Sequence, residues 1–398
     1  MKQFLTIIMI VCWLVGGCAS SEAEKSTADD ISKAAVIRVT NPAQESRQSQ
    51  TVAVKWDELV SANKRLTPEN ASIFDVSLNS FIVTQTVDNN DDGKTDELLF
   101  QTDLSGKQTK LFKAMVLPQG VSRPETKEYV YGRNVPERYS DFAWENDRIA
   151  FRMYAKELEW ETISPGIDVW VKKVRTPIID HLYKNVQIKK TYHTDNGEGL
   201  DCYKVGPTLG CGGLGIIADD KLILSHNSIG WKIIANGPIR IIFELTYPEW
   251  DAGGVKVTEV KRISLDKGSN LNRIESRMSC DSSKPLELAA GIVVRGGQGE
   301  KKELNENEKW ISYWFAPDKE NGMTGCGIVL TPETKAQLKE QYNHLLAVVQ
   351  NPCGKPFVYY AGACWDEGLD FKTAEQWDAY LSAFARQLEK PVTVTLEK

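Results

Sequence analysis

The chain has 398 residues, enough for two domains or for one large β domain with attachments, and enough to bury a sizeable core. Its 48 Lys and Arg face 54 Asp and Glu, a formal net charge of -6. Without a basic excess to neutralise phosphates, the composition argues against nucleic acid as a partner.

The first eighteen residues, MKQFLTIIMIVCWLVGGC, join a lysine near the start to an apolar run too short to span a bilayer and a small-residue ending, the layout of an export signal. The VGGC ending resembles the lipobox of bacterial lipoproteins. That resemblance implies lipidation of Cys18, contact with a membrane through the lipid alone, and a location in the cell envelope. No later stretch approaches about 18 continuous apolar residues, so no other segment is expected to cross a membrane. Residues 19–35, ASSEAEKSTADDISKAA, offer almost nothing to bury and read as a flexible tether.

From Val36 onward the dominant hydrophobic period is two. In IRIIFELTY, residues Ile239, Ile241, Phe243, Leu245 and Tyr247 fall on one side and Arg240, Glu244 and Thr246 on the other, a half-buried strand. FIVTQTV from Phe81, ELLFQTDL from Glu97, RIAFRMY from Arg148, IDVWVKKV from Ile167, FVYYAGA from Phe357 and VTVTL from Val392 repeat the pattern. Many strands with frequent turn signals predict a mainly β protein of antiparallel sheets packed face to face. The Pro- and Gly-containing stretch LPQGVSRPETKEY places a boundary near residue 120, between a small N-terminal β unit (36–120) and a main domain (121–398). One C-terminal helix is predicted over Thr373 to Lys390, where Trp377, Leu381, Phe384 and Leu388 follow a Thr cap; PIIDHLYKN reads as a second, short helix.

Three stretches carry candidate chemistry. In VDNNDDGKTDE, the oxygens of Asp88, Asn90, Asp92 and Asp96 stand at the spacing of a calcium loop, although Leu99 replaces the usual final glutamate. The loop reads either as a structural calcium site or as an Asx-rich hairpin turn. On two strands, period two sends Trp144, Arg152 and Tyr154, with Asn146 and Arg148, away from the core side of Ile149, Phe151 and Met153. It also sets Asp168, Trp170 and Lys172 opposite Ile167, Val169 and Val171. Rings stack on sugar faces and guanidinium forks grip carboxylates, so this surface, with Arg138 and Glu145 nearby, suits a uronate-containing oligosaccharide.

The third stretch is HTDNGEGLDCYKVGPTLGCGG, dense in glycine. His193, at the end of an expected strand KKTYH, stands a few residues before Glu198 and Asp201, a natural proton-transfer set, with Tyr203 as a further acid or base. Glycines there let the backbone turn tightly and approach a ligand. His181 and His226 are spare candidates, and His344 is expected at the surface. Six cysteines follow Cys18: Cys202, Cys211, Cys280, Cys326, Cys353 and Cys364. They allow fifteen pairings, Cys202 with Cys211 among them, or remain buried thiols. No P-loop, dinucleotide fingerprint or nucleophile elbow is present, so no organic cofactor is expected.

DNNDDGKTDELLFQTDL, RYSDFAWENDRIAFRMY, GIDVWVKKV, HTDNGEGLDCYKVG, NGPIRIIFELTY and GACWDEG together resemble a family of exported Bacteroidetes proteins known as domain of unknown function 4861. The resemblance covers essentially everything after the tether. It implies an antiparallel β-supersandwich of galactose-mutarotase type and a setting among polysaccharide-degrading enzymes. In such folds a His acid and a Glu or Asp base act on the sugar while Arg holds it, so His193 fills the first role. Glu198, Asp201, Asp168 or Glu145 fills the second, since no mutarotase motif can be laid onto this chain residue by residue. The resulting expectation is a carbohydrate-active lyase or hydrolase, with a non-catalytic glycan-binding lipoprotein or a sugar mutarotase or epimerase as the other readings.

Overall fold

The computed structural model describes residues 34–127, 129–187 and 191–397. The signal segment, Cys18 and nearly all of the tether lie outside them. Among the described residues no helix is long and apolar enough to cross a membrane.

The protein is mainly antiparallel β, and period-two strands explain why. ELLFQTDL forms the strand Glu97–Leu104 as its alternation predicts, with Leu98, Phe100, Thr102 and Leu104 buried. In the N-terminal unit a five-stranded sheet (Thr393–Glu397, Ala35–Thr40, Thr109–Val116, Ala71–Asp75, Ser80–Ile82) faces a three-stranded one (Arg47–Lys55, Glu97–Leu104, Thr84–Val87). Ile37, Val39, Val52, Val54, Phe100 and Phe112 fill the space between. FIVTQTV therefore divides between two sheets, and Trp56–Ala62 adds a short helix that its sequence did not announce. The chain's last strand pairs with its first, Val36 opposite Glu397. Thr393–Glu397 lies in the same sheet as Ala35–Thr40, a pairing between distant segments that no local pattern encodes.

The main body sets an eight-stranded sheet against two five-stranded sheets. One core joins all three, drawing Phe142, Trp144 and Phe151 from the first five-stranded sheet, Leu214, Leu288 and Leu345 from the second, and Phe243, Ile263, Ile274 and Ile328 from the large one. On the outer face of the large sheet lies the helix Ala374–Glu389, capped by Thr373 and buried through Trp377 and Leu381, as its sequence predicts. The two units are stapled by Gln85, whose amide oxygen accepts from the backbone of Ile239 and Arg240 at 2.9 and 2.8 Å and whose amide nitrogen donates to the Arg240 carbonyl at 2.8 Å.

Cys280 and Cys353 form a disulfide across 73 residues, whereas Cys202, Cys211, Cys326 and Cys364 are free thiols. Closing a loop of that length restricts the unfolded chain, so Cys280→Ser with Cys353→Ser is expected to lower stability by about 2–4 kcal/mol. Urea unfolding under non-reducing conditions checks this, and an unchanged midpoint would show the bridge to be energetically idle.

The Asp88 to Asp96 hairpin turns on its own side chains. Asp88 accepts from the amides of Asp91 and Gly93 at 2.7 Å, Asn90 from Asp92 at 2.9 Å, Asp92 from Lys94 at 2.9 Å and Asp96 from Asn89 at 2.6 Å. Among the described residues no group of three or more His, Cys, Asp or Glu is arranged to hold a metal ion. With the oxygens engaged by amides, millimolar calcium and EDTA are expected to give the same melting temperature; a rise with calcium would instead place the ion in this loop.

A buried arginine and aspartate cluster beneath an exposed aromatic patch

The sheet carrying the predicted sugar-binding face is built from Tyr131–Val135, Asp141–Glu145, Ile149–Met153, Asp168–Lys172 and Gly199–Leu200. Arg152 stands opposite Asp168, and Ala150 opposite Trp170, so the alternation that predicted this grouping is realised. Trp144 departs from it. Asn146 makes a turn, its side-chain oxygen accepting from the amides of Arg148 and Ile149 at 2.8 and 3.1 Å, and the strand does not run on. The turn resets the alternation, Trp144 pairs with Phe151, and its ring enters the sandwich core with its indole N–H donating to Asn272 at 2.7 Å.

The outer face is not open to solvent. Ala143 and Ala150 leave room for the helix Ile179–Gln187, and Trp170, Tyr183, Tyr192, Ile178 and Leu182 form a second apolar layer over the sheet. Glu145 fixes that cover. Fully buried, it accepts from the amides of Ile178 and Ile179 at 2.9 Å and from Lys172 Nζ at 2.5 Å, an anchor at the helix N-terminus with no free oxygen for a sugar proton.

Beneath this cover Arg152 is saturated. Its Nε and Nη2 donate to Asp168 Oδ2 at 2.9 and 2.6 Å, Nη2 also reaches Asp201 at 3.1 Å and Tyr154 Oη at 3.1 Å, and Nη1 reaches Tyr192 Oη at 3.3 Å. The rings of Tyr154, Trp170 and Tyr192 surround the guanidinium at 4.8, 5.2 and 5.5 Å. A fork so occupied is not a clamp for an incoming carboxylate, and Arg152 is corrected to the organiser of the cluster. Burial opposes its charge, yet Asp168, Tyr154 and Asp201 hold its pKa well above the usual value. Burial also pushes Asp168 and Asp201 upward, Asp201 well above the usual range, with the neighbouring charge of Asp168 adding to the effect of burial.

The acid that sequence reading missed is Asp141. It is fully buried, its Oδ1 accepts from the Ala155 amide at 3.1 Å, and its Oδ2 has no hydrogen-bond partner among the described residues. Burial, only partly offset by Arg152, raises its pKa to about 7. The two residues before it, Tyr139 and Ser140, hold left-handed backbone at φ 54° and 63°, which side-chain-bearing residues adopt at a cost. This strain turns the chain sharply from Arg138 at the surface to Asp141 in the interior.

Above the cluster the surface is aromatic. Trp160 is 70% exposed and Tyr139 45%, their rings edge to face at 5.7 Å. Arg138 lies over Tyr139 at 5.5 Å and pairs loosely with Glu161 at 3.6 Å, and Tyr192 beside it acts on its charge. The ring of Tyr192 in turn contacts His193 at 4.5 Å. The loop on either side of Trp160 is tied down by Asn227, which accepts from the Ser164 amide at 2.7 Å and donates to the carbonyls of Ala155 and Thr162 at 3.2 Å.

His193 sits in a turn rather than at a strand end, its side chain 61% exposed. Nδ1 contacts the Asp201 carbonyl at 2.8 Å and the Asp201 carboxylate at 3.8 Å. In the neutral ring that contact puts the proton on Nδ1 and leaves Nε2 as an outward-facing acceptor. Of the expected partners, Asp201 therefore meets His193, while Glu198 turns to His181 at 3.1 Å. Tyr203 goes elsewhere. Its ring packs on Phe315 at 5.5 Å inside the sandwich core, which removes it from the set. His226 pairs with Glu159 at 3.3 Å. His344 is buried, not exposed: its Nε2 accepts from the Leu209 amide at 3.2 Å and its Nδ1 donates to the Tyr342 carbonyl at 2.7 Å.

The glycines of this stretch serve the backbone. A Cβ on Gly199 (φ 131°) would lie 2.0 Å from the Val171 carbonyl oxygen, and one on Gly210 (φ 57°) 2.4 Å from that of Ile167, so both let the loop lie flat against the Asp168–Lys172 strand and its lead-in. Gly199 thereby sets the backbone that leads into Asp201.

Fold and site together define an antiparallel β-sandwich protein with a protonatable carboxylate cluster under an exposed aromatic and basic patch. The chain matches the family described as Domain of unknown function (DUF4861) over residues 39–394 and belongs to it. Uncharacterized protein P7 of Formosa agariphila is 34% identical over 413 residues, covering 100% of both chains. Among solved structures the chain is similar to a protein in the glycosyl hydrolase family 38 from Enterococcus faecalis, with TM-score 0.50 and 11% identity over 95% of this chain and 50% of that one. An alpha-mannosidase from Enterococcus faecalis V583 gives TM-score 0.48 and 9% identity over 95% of this chain and 48% of that one. The chain thus spans about half the length of these structures, and the likeness to the first is one of fold alone.

Proposed function

We propose that this protein cleaves an oligosaccharide bearing a uronate, by proton transfer at the patch formed by Trp160, Tyr139, Arg138 and His193 above Asp141. The observation that carries the reading is the fully buried Asp141 carboxyl, unpartnered at Oδ2 among the described residues and two residues from an exposed ring, where burial pushes its pKa up to about 7. The aromatic pair stacks on sugar faces, and Arg138, whose own ion pair is loose, neutralises the sugar carboxylate. His193 Nε2 removes the proton on the carbon next to that carboxylate, Asp141 protonates the departing glycosidic oxygen, and an unsaturated sugar results. Asp141 is fully buried here, so this step requires the left-handed Tyr139 and Ser140 segment to move aside for the bound chain. Export and lipid attachment at Cys18 belong to the same reading, and the Cys280–Cys353 disulfide supports an oxidising compartment.

Incubation with a panel of uronic-acid glycans, followed by absorbance and NMR analysis of products, tests this. An unsaturated product supports elimination, a saturated one places hydrolysis in its stead, and glycans recovered intact remove the catalytic claim. A binder without chemistry is the second reading, favoured by the complete burial of Asp141, Asp168 and Glu145. Under either, Trp160→Ala is expected to weaken saccharide binding by about 5–30-fold, on the order of 1–2 kcal/mol of stacking, with an unchanged melting temperature. Undiminished affinity by calorimetry would move the binding surface away from this patch.

A further inference from the structure

A hollow of about 860 Å³ beside Glu287, Lys309 and Gln337 carries no aromatic side chain and offers a sugar ring nothing to stack on. A second one differs in kind. Between the N-terminal unit, the large sheet and the C-terminal helix lies a cleft of about 630 Å³. Its floor is the outer face of the eight-stranded sheet, where Arg240 stands opposite Asp266, Ser264 opposite Arg273 and Arg273 opposite Tyr360 on successive strands. Residues 46–51 of the N-terminal unit line it, as do Tyr380 and Phe384 of the helix.

The charge of the cleft opposes that of the whole chain. Five basic side chains (Arg47, Arg148, Arg240, Lys267 and Arg273) line it against two acidic ones, Asp266 and Asp370, in a protein of net charge -6. Both acids are already matched, Asp266 by Arg240 at 2.5 Å and Asp370 by Arg148 at 2.9 Å and Arg175 at 2.6 Å. Arg47 donates to Asn41, Gln50 and main-chain carbonyls, which leaves its positive charge uncancelled by those contacts. The Arg273 side chain is 39% exposed, and its ion-pair partner among the described residues, Glu275 at 3.0 Å, does not line the cleft. Positive charge in a concave, partly desolvated setting attracts anions more strongly than the same groups on a flat surface. Tyr360, edge to face with Phe384 at 5.0 Å, adds a ring face beside these cations.

We infer that this cleft is a second binding site, taking an acidic saccharide whose carboxylate or sulfate groups pair with Arg273 and Lys267 and whose ring rests on Tyr360. The inference does not rest on the chemistry assigned to Asp141, and the cleft holds an acidic chain whether or not the other site cleaves it.

Calorimetric titration of the Trp160→Ala protein, in which the aromatic patch is weakened, isolates the cleft. Oligogalacturonate supplies carboxylates, a dextran sulfate oligomer supplies sulfates, and a neutral dextran oligomer is the control. Binding of either anionic probe but not the neutral one is expected, and the tighter of the two names the anion. Adding Lys267→Glu and Arg273→Glu should weaken it at least about 10-fold, and raising NaCl from 50 to 500 mM should weaken it in the unreversed protein as well. Should the doubly reversed chain fail to fold, Arg273→Gln gives the same comparison with a smaller loss. Equal binding of the neutral oligomer, no binding of either anion, salt-independent affinity, or full affinity in folded charge-reversed protein would each overturn the inference. Turnover lost by Asp141→Asn with this binding retained separates failure at one site from failure at the other.

Discussion

Replacing Asp141 by asparagine is expected to lower turnover by about 10²–10⁴-fold, the usual contribution of one positioned acid, while making the protein more stable above neutral pH. Asparagine keeps the oxygen that accepts from the Ala155 amide but carries no charge to bury. In the native protein burial holds the Asp141 carboxyl near 7 against 3.8 for an ordinary aspartate. The folded state therefore binds a proton that the unfolded state has lost. That contribution is fully present below about pH 4 and disappears as pH climbs from there through about 7, on the order of 4 kcal/mol across the window. Urea unfolding at pH 4.5 and pH 8 should show a fall in the native protein that is smaller in the variant by most of that contribution, the remainder belonging to Asp168 and Asp201, whose carboxyls burial also raises. A variant that loses as much stability as the native chain over this range would mean that Asp141 is ionised throughout. Loss of activity together with gain of stability is the signature of a group kept for chemistry rather than for folding.

Arg152→Met is expected to act in the opposite direction, costing about 3–5 kcal/mol at pH 7. The guanidinium satisfies Asp168 and Asp201 together and reaches the hydroxyls of Tyr154 and Tyr192, and its removal strands two buried carboxylates in an apolar setting. Both aspartates must then take up protons, so the damage should be smaller at pH 5 than at pH 8. Removing one acid as well, in Arg152→Met with Asp168→Asn, should restore part of the loss, since the uncompensated charge and not the missing packing dominates. Equal destabilisation by the single and double variants at pH 8 would assign the effect to the cavity.

The alternation of the chain made much of this legible. It placed Arg152, Asp168 and Trp170 on one face, delimited Glu97–Leu104, and set the C-terminal helix behind Thr373. Alternation fails where a turn resets it, as at Asn146, which carries Trp144 to the opposite side. It also cannot say what covers a face. The helix Ile179–Gln187 converts an expected open surface into a sealed layer, and its seat depends on Glu145 accepting amides 33 and 34 positions away. Glu198 and Asp201 were indistinguishable as partners of His193 because the direction of each carboxylate depends on how Gly199 lies against Val171. Asp141 and Trp160 left only a faint trace: a tryptophan in the acidic loop KELEWET, with no apolar period to absorb it, and an aspartate opening a strand after two polar residues.

The account depends on a proton held at Asp141 under an aromatic patch that admits sugar. Following the side-chain carboxyl carbons of ¹³C-labelled protein by NMR from pH 5 to pH 9, with Asp141→Asn to assign the signal, tests it most directly. A carboxyl that titrates near pH 7 and moves when an acidic oligosaccharide is added agrees with the account. A carboxyl already ionised at pH 5 and indifferent to the sugar contradicts it.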